Sequence, residues 1–346
     1  MDDPGPVSRI RFVANAGRPV QKRIDPRSVG GKTPGRMQPG KSGRPGGQAP
    51  RVVVRSATAR DWIGGARLRT LPLAIAPVAL GTGAAHLLSD GGWHWVRALL
   101  ALAVAVFLQV GVNYANDYSD GVRGTDKNRV GPSRLTGSGA AKPRTVLVVA
   151  LVFFGLGGLA GLALTVLSGY YWLLAVGAVC IVAAYLYTGG KRPYGYNGLG
   201  ELFVFVFFGL VATAGTTFTQ VGTVNIESWL AGVAAGSFAC AVLMVNNIRD
   251  IHQDTLSAKR TLAVLVGSRR ARIIFAIFVA VPYVVLVFFS IFYAKAPLVY
   301  FSLLSGLPAI LITLTGKTAP EFILALKLTS FTALVFGVTL AAAIAF

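Results

Sequence analysis

Two short stretches concentrate the carboxylates of this chain. The first begins at Asn113 and runs through Asn116, Asp117, Tyr118 and Asp120 to Arg123 and Asp126; the second begins at Asn246 and Asn247 and runs through Arg249 and Asp250 to Asp254. Together they carry five of the 13 acids in a chain that has 33 Lys and Arg. Each lies at the end of a long apolar run, where unpaired carboxylates are costly and repel one another, so a functional role is the default reading. Mg²⁺ keeps water and takes one or two carboxylates together with phosphate oxygens. Two facing Asp clusters are therefore suited to an Mg²⁺-bridged diphosphate, with Asp117, Asp120, Asp126, Asp250 and Asp254 as metal candidates. If the helix continues, Asn113, Asp117 and Asp120 share one face, and Asp250 and Asp254 repeat the four-residue spacing. The plain alternative is that these carboxylates pair with neighbouring arginines in solvated loops.

Cations follow each cluster: Arg123 and Arg134 after the first, Lys259 and Arg260 after the second, and Lys191 four residues past Tyr187. Lys as a point charge and Arg as a planar fork both suit a diphosphate. Tyr187 and Tyr118 offer π faces to a developing carbocation, although an interfacial position is the simpler reading of Tyr118. Glu201 either faces the same cavity or complements the positive end of its helix. His86 and His94 flank one loop and His252 lies in the opposite one, so no histidine metal site is expected. Cys180 and Cys240 sit far apart in apolar runs and read as buried thiols.

The elements that must hold these residues are membrane helices. The 346 residues are 54% hydrophobic and only 13% charged, against about 25% charged in an ordinary soluble domain. Several apolar blocks exceed the ~18 residues that mark a membrane span. The expectation is an all-α polytopic membrane protein with nine spans near 71–88, 96–116, 145–167, 171–188, 199–219, 228–247, 272–294, 297–315 and 323–345, around a central apolar cavity. Pro72, Pro77, Pro282 and Pro308 are expected to kink their helices, and Gly-rich runs such as 155–161 and 231–236 to allow close helix approach. Asn-Asp-rich sequence ends both the second and the sixth span, a loose repeat that implies two four-helix halves plus one helix.

Residues 1–60 are a separate basic segment with thirteen Lys and Arg and three Asp, read as a disordered cytoplasmic tail. Trp62 and Arg67 then anchor the start of the bundle at an interface. Lys and Arg crowd alternate loops, while the others hold almost none beyond Arg97 and Lys295. The positive-inside rule puts the amino terminus and both Asp clusters in the cytoplasm and the carboxyl terminus outside. The formal charge of +20 thus has a topological explanation and needs no nucleic acid.

An NDxxD-type cluster after the second span, YxxxK after the fourth and DxxxD after the sixth resemble the UbiA prenyltransferase superfamily, from about Trp62 onward. The resemblance implies Mg²⁺-dependent transfer of a polyprenyl group from an allylic diphosphate to an aromatic acceptor. Residues 116–126, 130–134, 246–250 and 259–264 look like the branch acting on 1,4-dihydroxy-2-naphthoate, with decarboxylation to demethylmenaquinone; 4-hydroxybenzoate and homogentisate are the alternative acceptors, and a secondary transporter the alternative class. Asp120 and Asp126 stand six apart, which suits the naphthoate branch, and Ala258 stands where that branch implies glycine. Carried onto this chain, the five Asp with Asn113 would hold Mg²⁺-diphosphate. Arg123, Arg134, Lys191 and Lys259 would neutralise the leaving group, and Tyr187 would steady the allylic cation. Asn116, Tyr118, Asn246, Asn247, Arg249 and Arg260 would complete the substrate contacts.

Overall fold

The computed structural model describes residues 55–89, 93–126, 132 and 134–346. The basic segment up to residue 54, and Lys127 and Arg129 beyond the first acidic cluster, lie outside the described residues. The described chain is helical, with no strand in it. In order come α1 (Ala59–Ala66), α2 (Pro72–Leu88), α3 (Trp95–Arg123), α4 (Pro143–Ser168), α5 (Leu173–Leu186) and α6 (Gly200–Val204). A π-helical segment, Phe205–Val211, leads into α7 (Ala212–Val221), followed by α8 (Ile226–Leu256), α9 (Leu262–Val266), α10 (Ser268–Phe292), α11 (Leu303–Thr315) and α12 (Ala319–Ala345).

Among the described residues, seven helical stretches are long and apolar enough to cross a membrane. The pair Ala59–Thr70 and Pro72–Leu88, bent by 45°, makes an eighth if it is one span. Pro72 therefore begins a helix instead of kinking one: it sits at the first turn, where its missing N–H costs nothing, whereas Pro77, Pro282 and Pro308 lie inside their helices. Leu173–Leu186 is apolar but shorter.

Helix α8 is the axis of the bundle. Of its most apolar window 78% is buried, against 22% in α4. Around it α10, α12, α2 and the π segment pack through Phe238, Met244, Phe275, Phe289 and Phe336. The close approach of the π segment depends on glycine: a Cβ on Gly209 would come 2.6 Å from the Gly236 Cα on α8. A second cluster, with Tyr114, Leu135, Val146 and Phe154, joins α3 to α4 and to α1. The second acidic stretch is helical throughout, within α8 to Leu256, and the first is helical as far as Arg123, which leaves Asp126 in the turn beyond α3. Their carboxyl ends open on the same cavity.

Candidate active site

A cavity of about 540 Å³ is walled by apolar residues such as Leu73, Val78, Leu108, Ile181, Phe207 and Leu243. Its mouth is lined by Asp120, Arg134, Asp250, Asp254 and Lys259, with Asn113, Asn116, Asn246, Asn247, Arg249 and Tyr187 beside them. Residues 130 positions apart in sequence thus meet at one opening because α3 and α8 end on the same side.

The face of α3 that points inward differs from the expected one. Asn113, Asn116 and Asp120 line the cavity, but Asp117 does not. Its buried carboxylate accepts the backbone N–H of Leu135 (2.9 Å) and of Thr136 (2.8 Å). Asp117 therefore fastens the loop after α3, and that loop delivers Arg134. The Arg134 guanidinium donates to Asp120 Oδ2 at 2.6 Å and to the Asn116 carbonyl at 2.9 Å. Its Nε lies 3.4 Å from Asp126 Oδ2. Burial works against that charge, but Asp120, Asp126 and Asp117 outweigh it and raise the guanidinium pKa above its ordinary value. Asp126 is buried behind Arg134 and does not line the cavity.

On α8, Arg249 grips Asp250 through two bonds, at 2.7 and 2.6 Å. Lys259 Nζ lies 3.7 Å from Asp254 Oδ1, and its backbone N–H closes on the Asp254 carbonyl at 2.8 Å. The turn that permits this closure puts Ala258 at φ 55°, in the left-handed region. That explains why glycine is expected there and shows that alanine keeps the same backbone at some cost in strain.

Four expected site residues lie elsewhere. Arg123 donates to the carbonyls of Thr188 and Gly190, in the turn that follows α5, and does not line the cavity. Lys191 and Arg260 are exposed outside it, Arg260 tied through its N–H to the Tyr196 carbonyl at 3.0 Å. Tyr118 packs into the α3–α4 cluster. The carboxamides are individually oriented. Asn113 Nδ2 donates to the Ala66 carbonyl (2.9 Å), Asn246 Nδ2 to that of Val242 (3.2 Å) and Asn247 Nδ2 to Glu201 Oε1 (3.1 Å). Asn116 Oδ1 instead accepts from the Thr188 hydroxyl at 2.7 Å.

Two contributors were not anticipated. Tyr196 donates its phenol to Asp120 Oδ1, and its ring lies 4.9 Å from Lys259 Nζ and 5.4 Å from the Arg123 guanidinium carbon. Burial, with Asp120 beside it, pushes this phenol well above its usual pKa, so it remains a donor. Tyr196 thereby ties both acidic clusters to one loop. Arg67, read from sequence only as an interfacial anchor, lines the cavity from a left-handed backbone position at φ 55°. No spacing signal marks either residue, since each reaches the site from a turn.

Acid–cation pairs at the mouth of an apolar cavity, within a bundle of membrane-length helices, define an integral-membrane protein that handles a molecule with a charged head and a greasy body. Residues 74–321 match the UbiA prenyltransferase family, and the chain belongs to that family. It is 57% identical over 219 residues to the 1,4-dihydroxy-2-naphthoate octaprenyltransferase of Mycobacterium tuberculosis, covering 63% of this chain and 74% of that one. The protein of the same description from Mycobacterium leprae is 55% identical over 216 residues, covering 62% and 72%. The structure of a UbiA homologue from Archaeoglobus fulgidus bound to DMAPP and Mg²⁺ superposes with a TM-score of 0.56 at 16% identity, over 82% of this chain and 99% of that one, and so shares the fold.

Proposed function

We propose that this protein transfers a polyprenyl group from an allylic polyprenyl diphosphate to 1,4-dihydroxy-2-naphthoate, with loss of CO₂, giving demethylmenaquinol, the reduced form of demethylmenaquinone. The observation that carries the reading is the cavity itself, with paired charges at its mouth and an apolar interior. The names of the mycobacterial relatives supply the acceptor.

Asp120, Asp250 and Asp254 line the mouth from two sides, with Asn116 offering a carboxamide. No group of three His, Cys, Asp or Glu forms a closed metal site among the described residues. A donor set spread across a mouth fits Mg²⁺ completed by phosphate oxygens, and when bound the ion would stabilise charge on the departing diphosphate. Arg134 and Lys259 supply further positive charge there, in a place already organised before reaction. The C1–O bond of the prenyl diphosphate breaks, and both electrons leave with the diphosphate. The ring carbon bearing the carboxylate bonds to the allylic C1, and the C–CO₂⁻ bond then breaks, returning its electron pair to the ring. Tyr187 offers its π face to the cation, and the apolar walls keep water from quenching it.

The bent pair α1–α2 and the short α5 complete nine crossings in this reading. The Lys- and Arg-rich ends support a mouth on the cytoplasmic side of a plasma membrane. The test is to incubate purified protein and Mg²⁺ with 1,4-dihydroxy-2-naphthoate and prenyl diphosphates of several lengths and weigh the products. A prenylated naphthoquinol lacking CO₂ is the expected product. Prenylation of 4-hydroxybenzoate or homogentisate in preference to the naphthoate would overturn the acceptor.

A further inference from the structure

We infer that Glu201 is a positioning residue that fixes Asn247 with its carbonyl oxygen toward the cavity, where it accepts a hydrogen bond from a ring hydroxyl of the aromatic acceptor. This rests on the acceptor class proposed above. Glu201 does not line the cavity; it is buried at the start of α6, 5% exposed, against α8. Its Oε1 accepts from Asn247 Nδ2 at 3.1 Å. With Oε1 accepting, Glu201 holds the amide nitrogen of Asn247 and leaves Oδ1 as the atom available to the cavity that Asn247 lines. Asn247 is thereby assigned away from the diphosphate, which also has only acceptors.

The placement is built. Glu201's own carbonyl accepts from Cys240 Sγ at 3.1 Å, and eight residues on, Gly209 meets Gly236 backbone to backbone. Three attachments to α8, at 236, 240 and 247, thus set the register of α6 and the π segment. Along α8, Asp254 and Asp250 mark the mouth, Asn247 and Asn246 come next, and Leu243 and Ala239 begin the apolar wall, all lining the same cavity. Asn247 therefore sits at the level between head and tail of a prenyl diphosphate, where the reacting ring must lie to meet the allylic C1. A site that pairs with a substrate hydroxyl rejects analogues that lack it, because its own polar atom is left without a partner.

The experiment compares the wild-type enzyme with Glu201→Gln and Glu201→Asp. Gln can donate as well as accept, so it no longer dictates which atom of Asn247 faces inward; Asp keeps a carboxyl group. KM is measured for 1,4-dihydroxy-2-naphthoate and for the prenyl diphosphate. Competitive inhibition is measured with 1-hydroxy-2-naphthoate, 4-hydroxy-2-naphthoate and 2-naphthoate. Expected for Glu201→Gln is a roughly tenfold rise in acceptor KM with the diphosphate KM within twofold, and partial recovery in Glu201→Asp. The wild type should bind at least one hydroxylated inhibitor about tenfold better than 2-naphthoate, and Glu201→Gln should level that preference. Equal rises in both KM values would mean a merely structural role and overturn the inference, as would a wild type indifferent to the hydroxyls, a result that stands even if the variants fail to fold. A wild type that does not prenylate the naphthoate at all would instead overturn the proposed function.

Discussion

Asp117 and Asp120 look equivalent in sequence and are placed differently in the structure, which makes their Asn variants a sharp comparison. Asp117→Asn keeps one acceptor for the two backbone amides of Leu135 and Thr136 and turns an NH₂ group toward the other. Losing a buried hydrogen bond to a charged group costs about 1.5–3 kcal/mol, which at 2–4 °C per kcal/mol lowers a thermal midpoint by roughly 5 °C. Asp120→Asn removes the charge that Arg134 pairs with at 2.6 Å at the cavity mouth. If even ~3 kcal/mol of that arrangement is used in reaching the transition state, turnover falls by about two orders of magnitude. The assay is prenyl transfer titrated with Mg²⁺, alongside a thermal unfolding scan in detergent. Asp117→Asn should unfold earlier with an unchanged Mg²⁺ requirement, while Asp120→Asn should need about tenfold more Mg²⁺. A rise in Mg²⁺ requirement in Asp117→Asn as large as in Asp120→Asn would refute the placement of Asp117 as a loop fastener.

Tyr196→Phe removes the phenol bond to Asp120 and keeps the ring between its cations; steady-state kinetics should show about a tenfold loss of turnover, from ~1.5 kcal/mol. Lys259→Ala should raise the prenyl diphosphate KM several-fold, and Lys191→Ala, outside the cavity, should leave it within twofold. Ala258→Gly relieves a left-handed backbone worth ~1–2 kcal/mol against the added freedom of glycine, ~0.5–1 kcal/mol; a thermal midpoint a degree or two above the parent is expected.

The bundle and the meeting of the two acidic stretches were legible because apolar run length and Asp spacing are one-dimensional signals. Asp250, Asp254 and Lys259 line the cavity as their spacing implies. The inward face of α3 was not legible. Both sides of its last turns are polar, one against the cavity and the other against the loop at 134–136, and helical arithmetic alone does not say which side is which. Lys191 and Arg123 show the limit of reading cations by proximity in sequence: one is exposed and the other holds the turn after α5 with its N–H groups. Tyr196 and Arg67 reach the site only through turns whose direction depends on the packed bundle. Glu201 sits in the first turn of its helix, as one of the two readings had it, but behind the cavity wall, with its carboxylate on Asn247.

At the cavity mouth Asp120, Asp250 and Asp254 each lie beside a cation: Arg134, which Asp126 shares, Arg249 and Lys259. A lone divalent ion, or a lone diphosphate, could claim only one half of each pair and would strand the other half away from water, where an unmatched charge is costly. When metal and diphosphate arrive together, the carboxylates turn to one and the cations to the other, and every charge remains matched. The three ion pairs thus leave metal and diphosphate, when they arrive together, a partner for every charge they part.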